Sequence, residues 1–590
     1  MMTLLDQAID KALGQEAPCF LTERVDDIVL LIGQMVQMGL PEILDRHIPH
    51  RGPQRTLSWG WTAVIWLAYI LSEQDHRKVS MERFVAGMIT TLSEVSGQPV
   101  TALDFSDDRL THLLRHLSKS KVWERIEREL SERSIDVYEL PTDVIRCDPT
   151  TVSGYHAVTD EGIMQFGHSK DDPSLPQFKL SMASLDPMGM PLACEVVSGE
   201  NADDGLYLGL IERVTTTLKK TGLLIVGDCK LSALTNRQQI TASGQYYLTP
   251  LPATGTTAQA MSDWIDQGLA RDREGRMTLI FRDNDRGETL LAGSAYEFER
   301  TQPAGSVDPD AVFQERILVV YSPAHAQRQS NGLEKRLENA QQAIEALTPP
   351  RGRGKRQIVE ESRLTGAIAR ILAEHRVQGL LDVTYERQCH SHTRYVGRGR
   401  GSPDRERRRV DSMRYQITAV TPNEAAIATA KQRFGWKAFA TNASHARLSL
   451  TDAVLCYRNE YRVERIFHRL KSRLDIAPLF VKRDDQIIGL THLLTLGVRV
   501  LTLMEFVVRR ALQADQVQLP GLYPENPKKR TDKPTAERIL KAFSGITLTR
   551  IHDATGKTLL QWLTPLSTTQ QAILYRLGLN GLYARIQNSG

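Results

Sequence analysis

The spacing of apolar residues changes twice along this chain, and each change marks a different kind of element. Up to about residue 135 the apolar positions recur at helical steps. Residues 63–69 are an unbroken hydrophobic stretch, and Leu110, Leu113, Leu114 and Leu117 follow Ser106, the expected N-cap. Residues 121–133 predict another amphipathic helix. Near residue 140 the texture becomes that of strands, at 144–147, 178–185, 192–197, 223–226 and 245–249. Asp186-Pro187-Met188-Gly189 predicts a hairpin turn between the second and third of these. Asn201-Ala202-Asp203-Asp204 predicts the cap of a helix running to about Lys220. The all-apolar run at 223–226 suits a strand buried on both faces.

Strand, strand, strand, helix, strand is the order of a ribonuclease H-like sheet, in which the first and fourth strands are neighbours. Residues 253–442 interrupt that order with extended pieces at 277–281, 289–292 and 317–321, a helix over 333–347, and a strand at 415–420. Helical patterning returns from Leu450 through Arg510, and a proline-punctuated linker at 520–534 precedes a small tail. The expected architecture is α/β: a ribonuclease H-like catalytic domain interrupted by a large β-rich insertion, with helical N-terminal and C-terminal regions. The expected divisions are 1–138, helical and a candidate DNA-binding unit; 139–252 and 443–515, the two parts of the catalytic domain; 253–442, an α/β insertion; and 516–590, a helical C-terminal region.

Composition narrows the class. With 41% hydrophobic and 24% charged residues the chain reads as an ordinary soluble globular protein. Its six cysteines are scattered without a CxxC pair, which suits reduced thiols in a reducing cytoplasm. Cys389-His390-Ser391-His392 has no second ligand pair at zinc spacing. The first residues lack the basic and apolar regions of a signal peptide. The apolar run 487–508 carries His492, Arg499 and Glu505, and each charge would cost about 2.5–3.5 kcal/mol at a bilayer centre. A buried core helix is the better reading, with no membrane partner. Net charge is only +4, but residues 351–409 hold fifteen Lys/Arg against seven Asp/Glu. Glycine-spaced arginines there suit a phosphate backbone, and equally a solvated loop.

Three acids carry the candidate chemistry. Asp148 closes the run 143–148, Asp228 closes 223–228, and Glu464 sits in a helical stretch beginning near Tyr457. In one continuous helix Tyr457, Tyr461, Glu464, His468 and Lys471 would share a face. Mg²⁺ takes hard oxygen ligands and is held by few carboxylates, with substrate phosphates completing its shell. Phosphodiester chemistry uses such ions in pairs about 3.5–4 Å apart, one at the attacking and one at the leaving oxygen. Asp148 would bridge two Mg²⁺ or Mn²⁺ ions, and Asp228 and Glu464 would each complete one.

The sequence here resembles the DDE transposases of bacterial insertion sequences, in the group carrying Y-x2-R-x3-E-x6-K. Tyr457, Glu464 and Lys471 fall at the tyrosine, glutamate and lysine positions, while Glu460 stands where the arginine belongs, flanked by Arg458 and Arg462. Cys147-Asp148-Pro149-Thr150-Thr151, Gly167-His168-Ser169-Lys170-Asp171, Gly227-Asp228 and Lys533-Pro534-Thr535-Ala536 add to the likeness. The resemblance implies Asp148, Asp228 and Glu464 as catalytic metal ligands, with Tyr457, Arg462 and Lys471 as DNA contacts. It further implies cleavage at terminal inverted repeats and 3′-OH strand transfer into target DNA, by a homodimer on double-stranded DNA in the bacterial cytoplasm at the nucleoid. In some relatives a flipped base stacks on an aromatic of the insertion, for which Trp264 and Trp436 are candidates. The same carboxylates would equally serve a nuclease without strand transfer. A captured transposase acting only as a DNA-binding protein is a further alternative.

Overall fold

The computed structural model describes residues 19–49, 57–169, 172–203, 205–284, 287–302, 312–352, 355–398, 403–459, 461–553 and 555–588. Strand β1 (Cys19–Arg24) precedes helices that include Trp59–Glu73, Asp107–Leu117 and Ser120–Tyr138. The chain then builds β2 (Val144–Ser153), β3 (Gln177–Leu185), β4 (Met190–Ser198), β5 (Leu224–Gly227) and β6 (Tyr246–Pro250). Next come β7 (Thr278–Asp283), β8 (Thr289–Gln302) and β9 (Phe313–Tyr321). A two-stranded ribbon, β10 (Leu381–Tyr395) and β11 (Arg407–Pro422), precedes β12 (Trp436–Thr441). The last strands are β13 (Thr547–His552) and β14 (Thr558–Leu563). The fold is mixed α/β, built on a nine-stranded mixed sheet of order β4-β3-β2-β5-β6-β12-β9-β8-β7.

Alternation along the strands divides the interior in two. Leu224 and Val226 of β5 join Leu248, Leu318, Val320 and Phe439 on one face. Ile225 joins Tyr247, Ile317 and Val319 on the other. Every residue of β5 is buried, as its uninterrupted apolar run requires. The second face rests on helix Asp484–Asp515, which also packs against β4 and Asp107–Leu117. In its most apolar window 94% of the residues are buried inside the protein. Its polar groups are paired there: Arg499 meets Glu127 at 3.2 Å, Ser131 Oγ at 2.9 Å and the Leu192 carbonyl at 2.8 Å. His492 stacks on Trp123 at 4.2 Å and bonds the Leu117 carbonyl through Nδ1 at 2.8 Å. Gly489 lets two helix backbones touch, since a Cβ there would lie 2.1 Å from the Leu114 carbonyl oxygen.

Several boundaries differ from the sequence pattern. The 253–442 insertion is not a separate layer: β12 pairs with both β6 and β9, so β7, β8, β9 and β12 extend the main sheet. Continuing from β6 gives its edge hydrogen-bonding groups a partner. A small core of its own, including Leu333, Ile344, Leu364 and Val420, forms where helices Pro323–Glu345 and Glu361–Glu374 meet the ribbon. The C-terminal region is not purely helical, because β13 pairs with β1 and β14. Six-residue strands show too few periods to announce themselves, and the partner of β13 lies at the other end of the chain. In the basic segment, ladder pairing from Leu381↔Pro422 to Tyr395↔Arg407 makes strands of residues whose polarity suggested a loop. Helix Leu206–Leu218 starts from Gly205 without a side-chain cap, and Asp203 instead pairs with Lys179 at 2.6 Å.

Candidate active site

β2 and β5 run parallel in register from Val144↔Leu224 to Cys147↔Gly227. Asp148 and Asp228 therefore follow paired residues on adjacent strands, about one strand spacing (~5 Å) apart at the backbone. Both are half-buried. Tyr207, buried in helix Leu206–Leu218, donates its hydroxyl to Asp228 Oδ1 at 2.6 Å. The Lys230 amide donates to the same oxygen at 2.8 Å, and Thr249 Oγ1 on β6 donates to the Asp228 carbonyl at 2.7 Å. Burial first, and then the charges of Asp228 and Asp148, push the Tyr207 hydroxyl far above its ordinary pKa. It therefore remains a proton donor. Gly227 makes room for this contact: a Cβ there would meet Leu231 Cδ2 at 2.9 Å and Tyr207 Cε1 at 3.1 Å. Burial, then the Asp148 charge, pushes the Cys147 thiol up to about 12, so it is an inert core thiol.

Glu464 is exposed on helix Tyr461–His468, which packs across β2. The continuous helix expected from the spacing is absent: Leu450–Arg458 ends at Asn459, Tyr461–His468 follows, and Arg469–Arg473 is a π-helical turn. Tyr457 therefore lies before a break and half-buried Lys471 in a turn of different pitch. Their spacing from Glu464 defines a common stripe only in an uninterrupted α-helix. The expectation for Arg462 falls outside the description, as do Glu460 and the side chains of Tyr461 and Val463. The Tyr457 ring packs on Phe439 of β12 at 4.6 Å. Arg146 of β2 holds the first helix piece, donating to the Cys456 carbonyl at 2.5 Å and to Asp186 at 2.9 Å. The second piece is held from behind by Glu505, which pairs with Arg465 at 2.6 Å and also with Arg469.

Asp148 and Asp228 are thus brought together, while Glu464 and Tyr457 line a neighbouring cleft of about 340 Å³. Among the described residues no three His, Cys, Asp or Glu side chains gather as a metal-ligand set. The two aspartates are hard oxygen donors that fit one Mg²⁺ or Mn²⁺ completed by water and phosphate. Glu464 does not complete that pair. Trp264 and Trp436 are 7% and 8% exposed, Trp436 lying against Tyr321 at 5.3 Å, so both are core residues. Reading the sequence missed Tyr207 and Glu505. The signal for Tyr207 was an aromatic hydroxyl on an apolar helix face, a group that seeks a partner when buried.

The sequence matches no protein-family model and no curated protein. A cryo-EM structure of the piggyBac transposase synaptic complex with hairpin DNA superposes over 96% of this chain and 85% of that chain. The TM-score is 0.34 and the identity 8%, a loose likeness that leaves the fold described as mixed α/β.

Proposed function

We propose that this chain is a DNA transposase of the DDE type, cleaving DNA at terminal inverted repeats and joining the freed 3′-OH strand to target DNA as a homodimer. The observation that carries the reading is the parallel register of β2 and β5, which sets Asp148 beside Asp228. The order β4-β3-β2-β5-β6, with β2–β5 and β5–β6 parallel and the other pairs antiparallel, supports a ribonuclease H-like sheet. Asp148 and Asp228 would hold the divalent ion, and the Tyr207 hydroxyl and Lys230 amide fix the orientation of Asp228. Glu464, lining the neighbouring cleft from helix Tyr461–His468, is the candidate third carboxylate. When bound, Mg²⁺ or Mn²⁺ polarises the scissile phosphate. The arginine-rich end of the β10–β11 ribbon has dimensions that the DNA major groove admits.

The test is incubation of the purified protein with Mg²⁺ and a plasmid carrying this reading frame in its native flanking DNA. End cleavage followed by joined products is expected, and its loss in Asp148→Asn and Asp228→Asn. Cleavage without joined products would leave the nuclease reading. Cleavage that persists unchanged in Asp228→Asn would remove the carboxylate pair from the chemistry.

A further inference from the structure

The cleft beside Glu464 holds more positive charge than its own walls neutralise. Arg282 lines it from β7, His325 and Arg328 from helix Pro323–Glu345, Lys437 from β12, and Arg458 from the end of helix Leu450–Arg458. Glu464 is the one acid among its described lining residues. Among the described residues Arg282, Arg328 and Lys437 make no ion pair, and Arg458 spends a hydrogen bond on the Ala292 carbonyl at 2.6 Å. The cations feel one another. Burial and then the Arg282 charge lower the Arg458 pKa, and burial followed by Lys437 and Arg328 lowers that of His325.

The backbone adds to this field. The 23-residue helix Pro323–Glu345 opens at the cleft, with Ala324 and His325 in its wall and no side-chain cap from Ser322. The first amides and dipole of such a helix favour an anion. Gly435, at φ +85°, locks this helix start to β12: its carbonyl accepts from the Ser322 amide at 2.9 Å. A Cβ at Gly435 would meet Tyr321 Cε2 at 2.8 Å and Ser322 O at 2.9 Å. Val320, Phe439 and Val454 contribute an apolar floor. A rim of cations over an apolar floor matches a strand whose phosphates are charged and whose sugars are not. Four cationic side chains drawn from four elements exceed what one isolated phosphate needs.

We propose that this cleft seats the phosphodiester backbone of a DNA strand and leads it past Glu464. The inference rests on the DNA-processing reading of the Asp148–Asp228 pair and names the path of the strand beside it. Full-length protein without Mg²⁺ is titrated against a fluorescein-labelled mixed-sequence DNA duplex, with anisotropy followed from about 50 to 200 mM salt. The triple variant Arg282→Gln, Arg328→Gln, Lys437→Gln changes exposed side chains and is compared with Lys335→Gln, Arg363→Gln, Arg370→Gln, which removes equal charge away from the cleft. The cleft variant is expected to bind at least tenfold more weakly and to flatten the log–log salt slope by about 2–3, near 0.9 per lost phosphate contact. Should it misfold by circular dichroism, the three single variants are read instead, each losing about one unit of slope. An unchanged slope, or an equal loss in the control, overturns the cleft. If cleavage still needs Asp228 in that case, the carboxylate reading survives. A wild-type protein that fails to bind the duplex at low salt overturns both.

Discussion

Replacing Glu505 by glutamine asks what holds the Glu464 helix in place. The Glu505 carboxylate, 6% exposed, binds Arg465 at 2.6 Å, Arg509 at 2.8 Å, the Ala536 amide at 3.1 Å, and Arg469. Arg469 is equally buried, and burial alone would lower its pKa. The charges of Glu505 and Glu537 reverse that and leave it raised. Glutamine keeps the shape of Glu505 but leaves three guanidinium groups facing one another. Breaking a buried ion pair from one side costs about 3–5 kcal/mol. The lower end applies here, because Glu537 still holds Arg469 Nε at 3.0 Å, and Arg465 and Arg509 at 38% and 30% exposure are partly solvated. A loss of about 3 kcal/mol is roughly a hundredfold or more in a local opening equilibrium. Amide hydrogen exchange over 461–468 should accelerate by that factor in Glu505→Gln. Glu537→Gln, removing a 35% exposed partner, should change it severalfold at most. Unchanged exchange in a folded Glu505→Gln protein would refute the reasoning, leaving the apolar contacts of Ile466, Phe467 and Leu470 as the anchor.

Three further outcomes are expected. Tyr207→Phe takes one donor from Asp228 Oδ1 and should weaken the Mg²⁺ dependence of cleavage about 10- to 100-fold, read by metal titration; an unchanged curve would make Tyr207 a packing residue only. Burial holds His492 at a pKa of about 3, so the folded state binds its proton less readily than the unfolded state does. Stability from the neutral ring is complete above about pH 6.5 and drains as pH falls toward 3, by at most ~1.4 kcal/mol per pH unit. Denaturant midpoints between pH 7 and 5 should therefore fall more steeply in wild type than in His492→Phe. Gly489→Ala forces a methyl group against the Leu114 carbonyl, and should cost about 1–3 kcal/mol with faster exchange over 107–117; wild-type exchange there would show that the helices separate freely.

The local pattern was enough for the elements whose burial is one-sided or complete. The run 223–226 had to be an interior strand because every residue is apolar, and β5 is that strand. The long helix had to be interior because its charges could not face lipid, and Arg499 does meet Glu127 inside the protein. Asp228 was legible because it closes an apolar run, whereas Asp148, expected at a strand end, lies inside β2, which continues to Ser153. The parallel register brings the two to the same level of the sheet. Hydrophobic spacing reports only which face of an element is buried. Contacts between distant segments were decided by the tertiary structure: β1 paired with β13, β12 welding the insertion onto β6, and Tyr207 reaching Asp228. The same holds for the Glu464 helix, whose repeat of three and four positions predicted one stripe. Its break at Asn459 and its anchorage on Glu505 depend on partners that no local repeat encodes.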